Sequence, residues 1–295
     1  MKNTIFTGAG VAIVTPMYED GAVNYDAYAD LIDFQIENKV DAIISCGTTG
    51  ESSTLGEEEH CEVIRFAIEH TAGRVPVIAG TGSNDTKYAI ELSQVAGEMG
   101  ADGLLLVTPY YNKTSQRGLV AHFGMIAESV KTPIILYSVQ SRTGVNIAPE
   151  TAYELSKYEN IAAIKEASGN ISQVAKIRAM CGDSLDVYSG NDDQIVPLLS
   201  LGGKGVISVL SNVAPEVTHN ICQLYFDGKV AESAALQLEY LDLCNDLFID
   251  VNPIPVKEAL NMMGMNAGPC RMPLYEMTDA AKDKLAATLA KHGLL

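Results

Sequence analysis

Eight short apolar runs recur along the chain: Gly10–Pro16, Ala42–Gly47, Pro76–Gly82, Gly103–Pro109, Pro133–Val139, Ile161–Ala167, Asp186–Asn191 and Gly205–Ser211. They are rich in Val, Ile and Leu and hardly alternate with polar residues, the pattern of strands buried on both faces. The segments between them carry helical spacing. After the first run, Asn24 can cap a helix with Tyr28, Leu31, Ile32 and Ile36 on one face. After the second, Thr54 and Glu57 have capping-box spacing ahead of Val63, Ile64, Ala67 and Ile68. Strand and helix alternating in this way predict an α/β protein of the (β/α)8 TIM barrel type. The competing architecture is an open doubly wound sheet. Its glycine fingerprint is missing, because Gly80-Thr81-Gly82 lacks a third glycine and follows the third run rather than the first. From Pro215 onward only helical periodicity remains, with Val217, Ile221 and Leu224 in one stretch and Ala281, Leu285 and Leu289 in another. The expected organisation is a barrel bearing the active site over residues 1–225 and a C-terminal helical region, 226–295, packed on it.

Composition narrows the partners. The 295 residues include 20 Lys and Arg against 37 Asp and Glu, a formal net charge of −17. That sign repels phosphate backbones and anionic lipid, so neither nucleic acid nor membrane is an expected partner. No stretch reaches the roughly 18 apolar residues of a membrane span. Met1–Gly10 has no apolar leader core, which points to the cytoplasm. The six cysteines and five histidines are scattered without ligand spacing, so neither a disulfide framework nor a metal site is expected. An anionic substrate would have to be met by local cations.

In (β/α)8 enzymes the chemistry sits at the C-terminal ends of the strands. Lys165 is the most informative residue there: of 14 lysines it alone is embedded in a strand-like run. Burial favours the neutral form of a lysine, and a neutral lysine is a nucleophile that forms a Schiff base with a carbonyl. The plainer alternative is a lysine paired with a carboxylate such as Glu166. Tyr137 ends the neighbouring run and could move protons with help from the hydroxyls of Thr48 and Tyr111. Gly47-Thr48-Thr49-Gly50 offers hydroxyls and backbone N–H groups that can hold a carboxylate, or it is an ordinary Gly-bounded turn. Arg142, one of six arginines, lies in a Ser-Arg-Thr-Gly loop where its fork could bind a carboxylate in bidentate fashion, or it is solvated surface.

In order along the chain these segments read Gly-Val-Ala-Ile-Val-Thr-Pro from Gly10, Gly-Thr-Thr-Gly-Glu from Gly47, Thr-Pro-Tyr-Tyr-Asn from Thr108 and Tyr-Ser-Val-Gln-Ser-Arg-Thr-Gly from Tyr137. Ile-Lys-Glu-Ala-Ser, Ser-Gly-Asn-Asp, Gly-Gly-Lys-Gly-Val-Ile-Ser and Asn252-Pro253-Ile254-Pro255-Val256-Lys257 follow. Over nearly its whole length the chain resembles the dihydrodipicolinate synthase branch of the Schiff-base-forming pyruvate lyase and aldolase family. The resemblance implies a cofactor-free lyase joining pyruvate to aspartate semialdehyde, the committed step of diaminopimelate and lysine synthesis. It implies that Lys165 condenses with pyruvate and that Thr48, Tyr137 and Tyr111 form a proton relay, Tyr111 reaching across a dimer interface. The Thr48-Thr49 backbone would hold the pyruvate carboxylate, Gly190 and Ile207 would line the pocket, and Arg142 would bind the carboxylate of aspartate semialdehyde. A homodimer or homotetramer is implied. Ser138 and Gln140 depart from the family's usual Asn and Pro, and loss of a proline loosens the Arg142 loop. Tyr88 stands where lysine-inhibited members hold lysine's amino group with a carboxylate, and Glu57 where they often have His, implying weak or no inhibition by lysine. Two further readings are another pyruvate-dependent aldolase on this scaffold, of the N-acetylneuraminate or keto-deoxy-sugar-acid type, and a catalytically silent barrel that binds a small ligand or a protein.

Overall fold

The apolar runs form eight parallel strands in a computed structural model that describes residues 2–295. They are β1 (Gly8–Ala12), β2 (Ala42–Ser45), β3 (Val77–Gly80), β4 (Gly103–Val107), β5 (Ile134–Ser138), β6 (Ile161–Glu166), β7 (Asp186–Ser189) and β8 (Gly205–Ser208). Each strand pairs with the next and β8 returns to β1, so the sheet is a closed barrel and not an open doubly wound one. Closure is tight where Gly205 faces Gly8. A Cβ on Gly205 would run into the Gly8 carbonyl oxygen, and its φ of 150° suits glycine alone.

Most runs overshoot the ladder at their C-terminal ends. Gly47, Thr81-Gly82, Thr108-Pro109, Ala167 and Gly190-Asn191 all lie beyond the paired residues, in the loops over the barrel mouth. β1 also starts two residues before its run and stops at Ala12; the Val14 N–H donates to Asn212 Oδ1 at 3.1 Å, and Pro16 has no N–H to offer a strand.

The barrel helices are α1 (Tyr25–Glu37), α2 (Glu57–Thr71), α3 (Thr86–Glu98), α4 (Gln116–Ser129), α5 (Gln140–Thr143) and α6 (Pro149–Leu155). α7 (Ile171–Cys181), α8 (Ile195–Ser200) and α9 (Pro215–Phe226) complete the ring. Short polar side chains start several of them: Asn24 Oδ1 accepts the Ala27 N–H at 3.1 Å, as its position predicts, and Asn170 Oδ1 accepts the Gln173 N–H at 3.1 Å. The capping box expected at Thr54 and Glu57 does not form. Gly56 is the cap residue of α2, and Thr54 turns its hydroxyl back to the Glu51 carbonyl, 3.1 Å away, within a 3-10 turn that places the preceding loop.

Side-chain parity divides the core. Ile44, Ile78, Leu105, Ile135, Ala163 and Ile207 fill the barrel interior, whereas Ile43, Leu104, Leu106, Ile134 and Ile164 face the helices. Beyond α9 the chain continues as α10 (Val230–Glu239), α11 (Leu241–Asp246), α12 (Ile254–Met262) and α13 (Asp279–Lys291). The apolar stretch 236–249 is thus divided between α10 and α11, and Leu285 and Leu289 of α13 are fully buried, as their spacing predicts. A buried ion pair ties this region to the barrel. Lys257 Nζ donates to Glu51 Oε1 at 2.9 Å and to the carbonyls of Thr15 and Pro269. Glu51 Oε2 in turn accepts the Arg271 N–H at 2.8 Å.

Candidate active site

β5 and β6 lie side by side with Tyr137 in register with Lys165. Both side chains point into the barrel, and each is about nine-tenths buried or more, at 7% and 6% exposure. Lys165 Nζ stands over the Tyr137 ring, 4.3 Å from its centroid. The carboxylate next to it in sequence is turned the other way. Glu166 Oε1 accepts from Gln173 Nε2 of α7 at 2.9 Å and from the Ser168 N–H at 3.2 Å, and burial raises its pKa against those hydrogen bonds. The plain alternative of a Lys165–Glu166 pair therefore fails on strand parity: one side chain belongs to the pocket, the other to the barrel–helix layer.

After β2 the chain turns sharply at Gly47–Glu51. Gly50 and Ser52 donate their N–H groups to the Gly47 carbonyl, and Glu51 donates to Thr48. The N–H groups of Thr48 and Thr49 take no protein partner among the described residues, which leaves two adjacent donors free for an anion. Glu51 holds this turn with a φ of 55°, and its buried bond to Lys257 fixes it.

Arg142 lies on the one-turn helix α5, exposed at its tip, with Nη2 donating to the Asn252 carbonyl at 3.1 Å. The loop is braced from below by Thr143, whose Oγ1 bonds Thr108 Oγ1 at 2.9 Å and the Val139 and Val145 carbonyls. Ser138, one of the two departures, is fully buried; its hydroxyl accepts the Ile147 N–H at 3.1 Å and joins Asn146, which bonds Gln173. Gln140 is exposed.

These groups border a cavity of about 570 Å³ at the barrel mouth, lined by Thr49, Tyr137, Arg142, Lys165, Ala167, Gly190 and Asn191 from the barrel. Gly190 is required there, because a Cβ would strike Ala167. The opposite wall is Phe248, Asp250, Val251 and Asn252, between α11 and α12. No local pattern marks Phe248, Asp250 or Val251 for the site, and Asn252 is marked only as the start of the Asn-Pro-Ile-Pro motif. Thr48, half-buried, does not line the cavity, and Ile207 lies beneath it in the barrel interior. Tyr111 is also outside it: at 92% exposure and with a left-handed φ of 67°, it projects from the barrel surface. A larger cavity, about 960 Å³, separates Met17–Asp30 from the C-terminal helices and includes none of the residues at the ends of β5 to β8.

The site is thus a pocket with one buried lysine over a tyrosine ring, the free Thr49 N–H on one side with that of Thr48 next to it outside the lining, and a guanidinium at the rim. It can attack a carbonyl and hold carboxylates at two places. The model of the dihydrodipicolinate synthetase family matches residues 5–292. The chain is 60% identical over 292 residues to a 4-hydroxy-tetrahydrodipicolinate synthase of Lachnoclostridium phytofermentans, covering 99% of each. It is 57% identical over 290 residues to one of Caldicellulosiruptor saccharolyticus, covering 98% of each. Among solved structures, it superposes with a TM-score of 0.97 and 41% identity on the chloride-inhibited dihydrodipicolinate synthase of Acinetobacter baumannii complexed with pyruvate, covering 99% of this chain and 100% of that one.

Proposed function

The chain belongs to the dihydrodipicolinate synthetase family, and on that footing we propose that it is a lyase condensing pyruvate with aspartate semialdehyde to 4-hydroxy-tetrahydrodipicolinate, a step of diaminopimelate and lysine synthesis. The observation that carries the assignment of roles is Lys165, buried at the pocket floor, over a tyrosine ring and turned away from its neighbouring carboxylate.

Lys165 Nζ adds to the pyruvate ketone and water leaves, giving a protonated imine. Loss of a proton from the methyl carbon gives an enamine, which attacks the aldehyde carbon of the second substrate. That substrate's amine then adds to the imine carbon, closes the ring and displaces Lys165. The pyruvate carboxylate sits on the Thr48 and Thr49 N–H groups, against the wall at Gly190, with Ile207 packed below. Arg142 takes the carboxylate of the aldehyde. Tyr137 carries protons to and from the reacting atoms, with Thr48 behind it and Tyr111 of a second copy in front, so the working unit is at least a homodimer. A homotetramer is a pair of such dimers. The barrel over 1–225 holds the nucleophile, and 226–295 supplies one pocket wall. We place the reaction in the cytoplasm, in keeping with scattered cysteines; no described helix is long and apolar enough to cross a membrane.

The test is reduction with borohydride in the presence of pyruvate, followed by peptide mass mapping. We expect one reduced adduct, on Lys165; an adduct elsewhere, or none, would overturn the mechanism. Lysine should inhibit weakly or not at all, because Tyr88 presents a phenol where a carboxylate is needed for its amino group. Titration of lysine into a steady-state assay checks this, and strong, saturating inhibition at low lysine would contradict it.

A further inference from the structure

The turn that offers the Thr48 and Thr49 N–H groups is held from outside itself at three successive residues. Asn252 Nδ2 donates to Thr49 Oγ1 at 3.0 Å, Thr15 Oγ1 to the Gly50 carbonyl at 2.7 Å, and Lys257 Nζ to Glu51 Oε1 at 2.9 Å. Only the last is an ion pair, and Lys257 and Glu51 are both buried, at 1% and 2% exposure. Every hydrogen of the ammonium has an acceptor, since the carbonyls of Thr15 and Pro269 lie 3.0 and 2.6 Å away. The second carboxylate oxygen accepts the Arg271 N–H at 2.8 Å, and the Arg271 side chain is itself clamped on Glu59. Glu51 sits at a φ of 55°, a conformation that a residue with a Cβ keeps only where its surroundings hold it. A buried ion pair is no better a source of stability than a well-packed apolar pair of the same volume. What this one adds is direction, because two anchored donors fix both carboxylate oxygens and the backbone behind them.

We propose that Glu51 and Lys257 are positioning residues for pyruvate: their ion pair, made between the barrel and the C-terminal region, sets the direction of the Thr48 and Thr49 N–H groups. This deepens the reading above and rests on it. A trans peptide is planar, with its carbonyl and its N–H pointing opposite ways. The Glu51 N–H donates to the Thr48 carbonyl at 3.1 Å, and that carbonyl shares its peptide plane with the Thr49 N–H. The Gly50 and Ser52 N–H groups, on either side of Glu51, donate to the Gly47 carbonyl, whose plane carries the Thr48 N–H. Both free donors are therefore aimed by the segment that Glu51 anchors. Neither Glu51 nor Lys257 lines the cavity at Lys165, so the pair acts through the turn and not on the substrate. An amide that holds pyruvate's carboxylate does so equally before and during the chemical step. A loosened turn thus weakens pyruvate binding and leaves the turnover of bound pyruvate intact. Arg142 is attached to the Asn252 carbonyl and not to the pair, so the second substrate is spared.

The experiment measures the pyruvate concentration that half-saturates borohydride trapping on Lys165, beside the steady-state constants for both substrates. Glu51→Gln is nearly isosteric but has one acceptor atom where Lys257 and Arg271 each need one, so one anchoring bond is lost. Glu51→Gln combined with Lys257→Met removes both charges and leaves no buried ion unpaired. In both variants the half-saturating pyruvate and the KM for pyruvate should rise about ten- to a hundredfold, the worth of one hydrogen bond to a charged group. The turnover number and the KM for aspartate semialdehyde should stay within about threefold, as expected when only uniform binding is lost. Because the pair acts as one unit, the second change should add little to the first. A fall in thermal stability with the pyruvate constants unmoved would make the pair a structural tie only and overturn the proposal. Equal losses for both substrates, or failure of both variants to fold, would overturn it too. Absence of the adduct from the parent removes the reading of the whole site, whereas a parent adduct with unmoved half-saturation in the variants removes only this role of Glu51 and Lys257.

Discussion

Lys165 and Glu166 are adjacent in sequence and opposite in role, because a strand sends successive side chains to opposite faces. That alternation made Lys165 legible: a cation inside an apolar run has few explanations. Gln140 is harder. Loss of the usual proline reads as a looser Arg142 loop, yet Gln140 is the first residue of α5, a position where proline's missing N–H costs nothing. The Arg142, Thr143 and Gly144 N–H groups close the turn without it, onto the carbonyls of Val139 and Gln140. Gln140→Pro is therefore expected to raise stability by about 0.4–1 kcal/mol through the unfolded chain, with the KM for aspartate semialdehyde unchanged. Urea unfolding and steady-state kinetics check both halves; a fall in KM would show that the loop is indeed too loose. Asn252 was not legible as a site residue. Its position in the pocket depends on how a distant segment docks, and no local pattern carries that information.

Strands and helices were readable where burial imposes a period, and caps only where the cap side chain competes with nothing else. Asn24 caps α1, whereas the Thr54 hydroxyl donates to the Glu51 carbonyl within its own 3-10 turn and is not available as a cap. Two histidines at such junctions set a pH dependence. His60 of α2 is buried against the Gly80 carbonyl of β3, 2.8 Å from Nε2, and burial lowers its pKa below 6.5 despite that contact. His219 of α9 meets Asp41 Oδ2 at 2.9 Å, and that hydrogen bond, against partial burial, raises its pKa above 6.5. Below 6.5 the unfolded chain protonates His60's imidazole more readily than the folded one does, so stability falls as pH falls. The stability from His219 is fully present below 6.5 and is lost as pH rises through its raised value. The two windows lie on opposite sides of 6.5. Urea midpoints between pH 5 and 8 should show His60→Gln flattening the acid side and His219→Gln flattening the alkaline side. The reverse assignment would contradict the geometry.

The molecule as a whole carries −17, yet both proposed substrates are carboxylates, so the global field does not attract them, and in the proposed roles that task falls to Arg142, Lys165 and the Thr48-Thr49 amides. The C-terminal helices were predicted, but not that their linker would wall the pocket or that Lys257 would bury its ammonium against Glu51; in sequence it reads as an ordinary helix lysine. One of the proposed roles does not close within a single chain. Tyr111, 92% exposed and with a left-handed φ of 67°, does not line the cavity that Lys165 occupies, and a large aromatic held out in this way is poorly placed for a lone subunit. If it serves a second copy, two defective chains should repair each other. Lys165→Ala and Tyr111→Phe homodimers would each be nearly inactive. In a mixed dimer one site combines an intact Lys165 with the other chain's intact Tyr111, and the second site lacks both. Random exchange of equal amounts makes about half of the dimers mixed, each with one working site of two, so roughly a quarter of parental activity should return. Unfolding and refolding the variants together, then assaying pyruvate-dependent condensation, measures it. No recovery, with mixed dimers verified by mass, would confine Tyr111 to its own subunit and remove it from the relay.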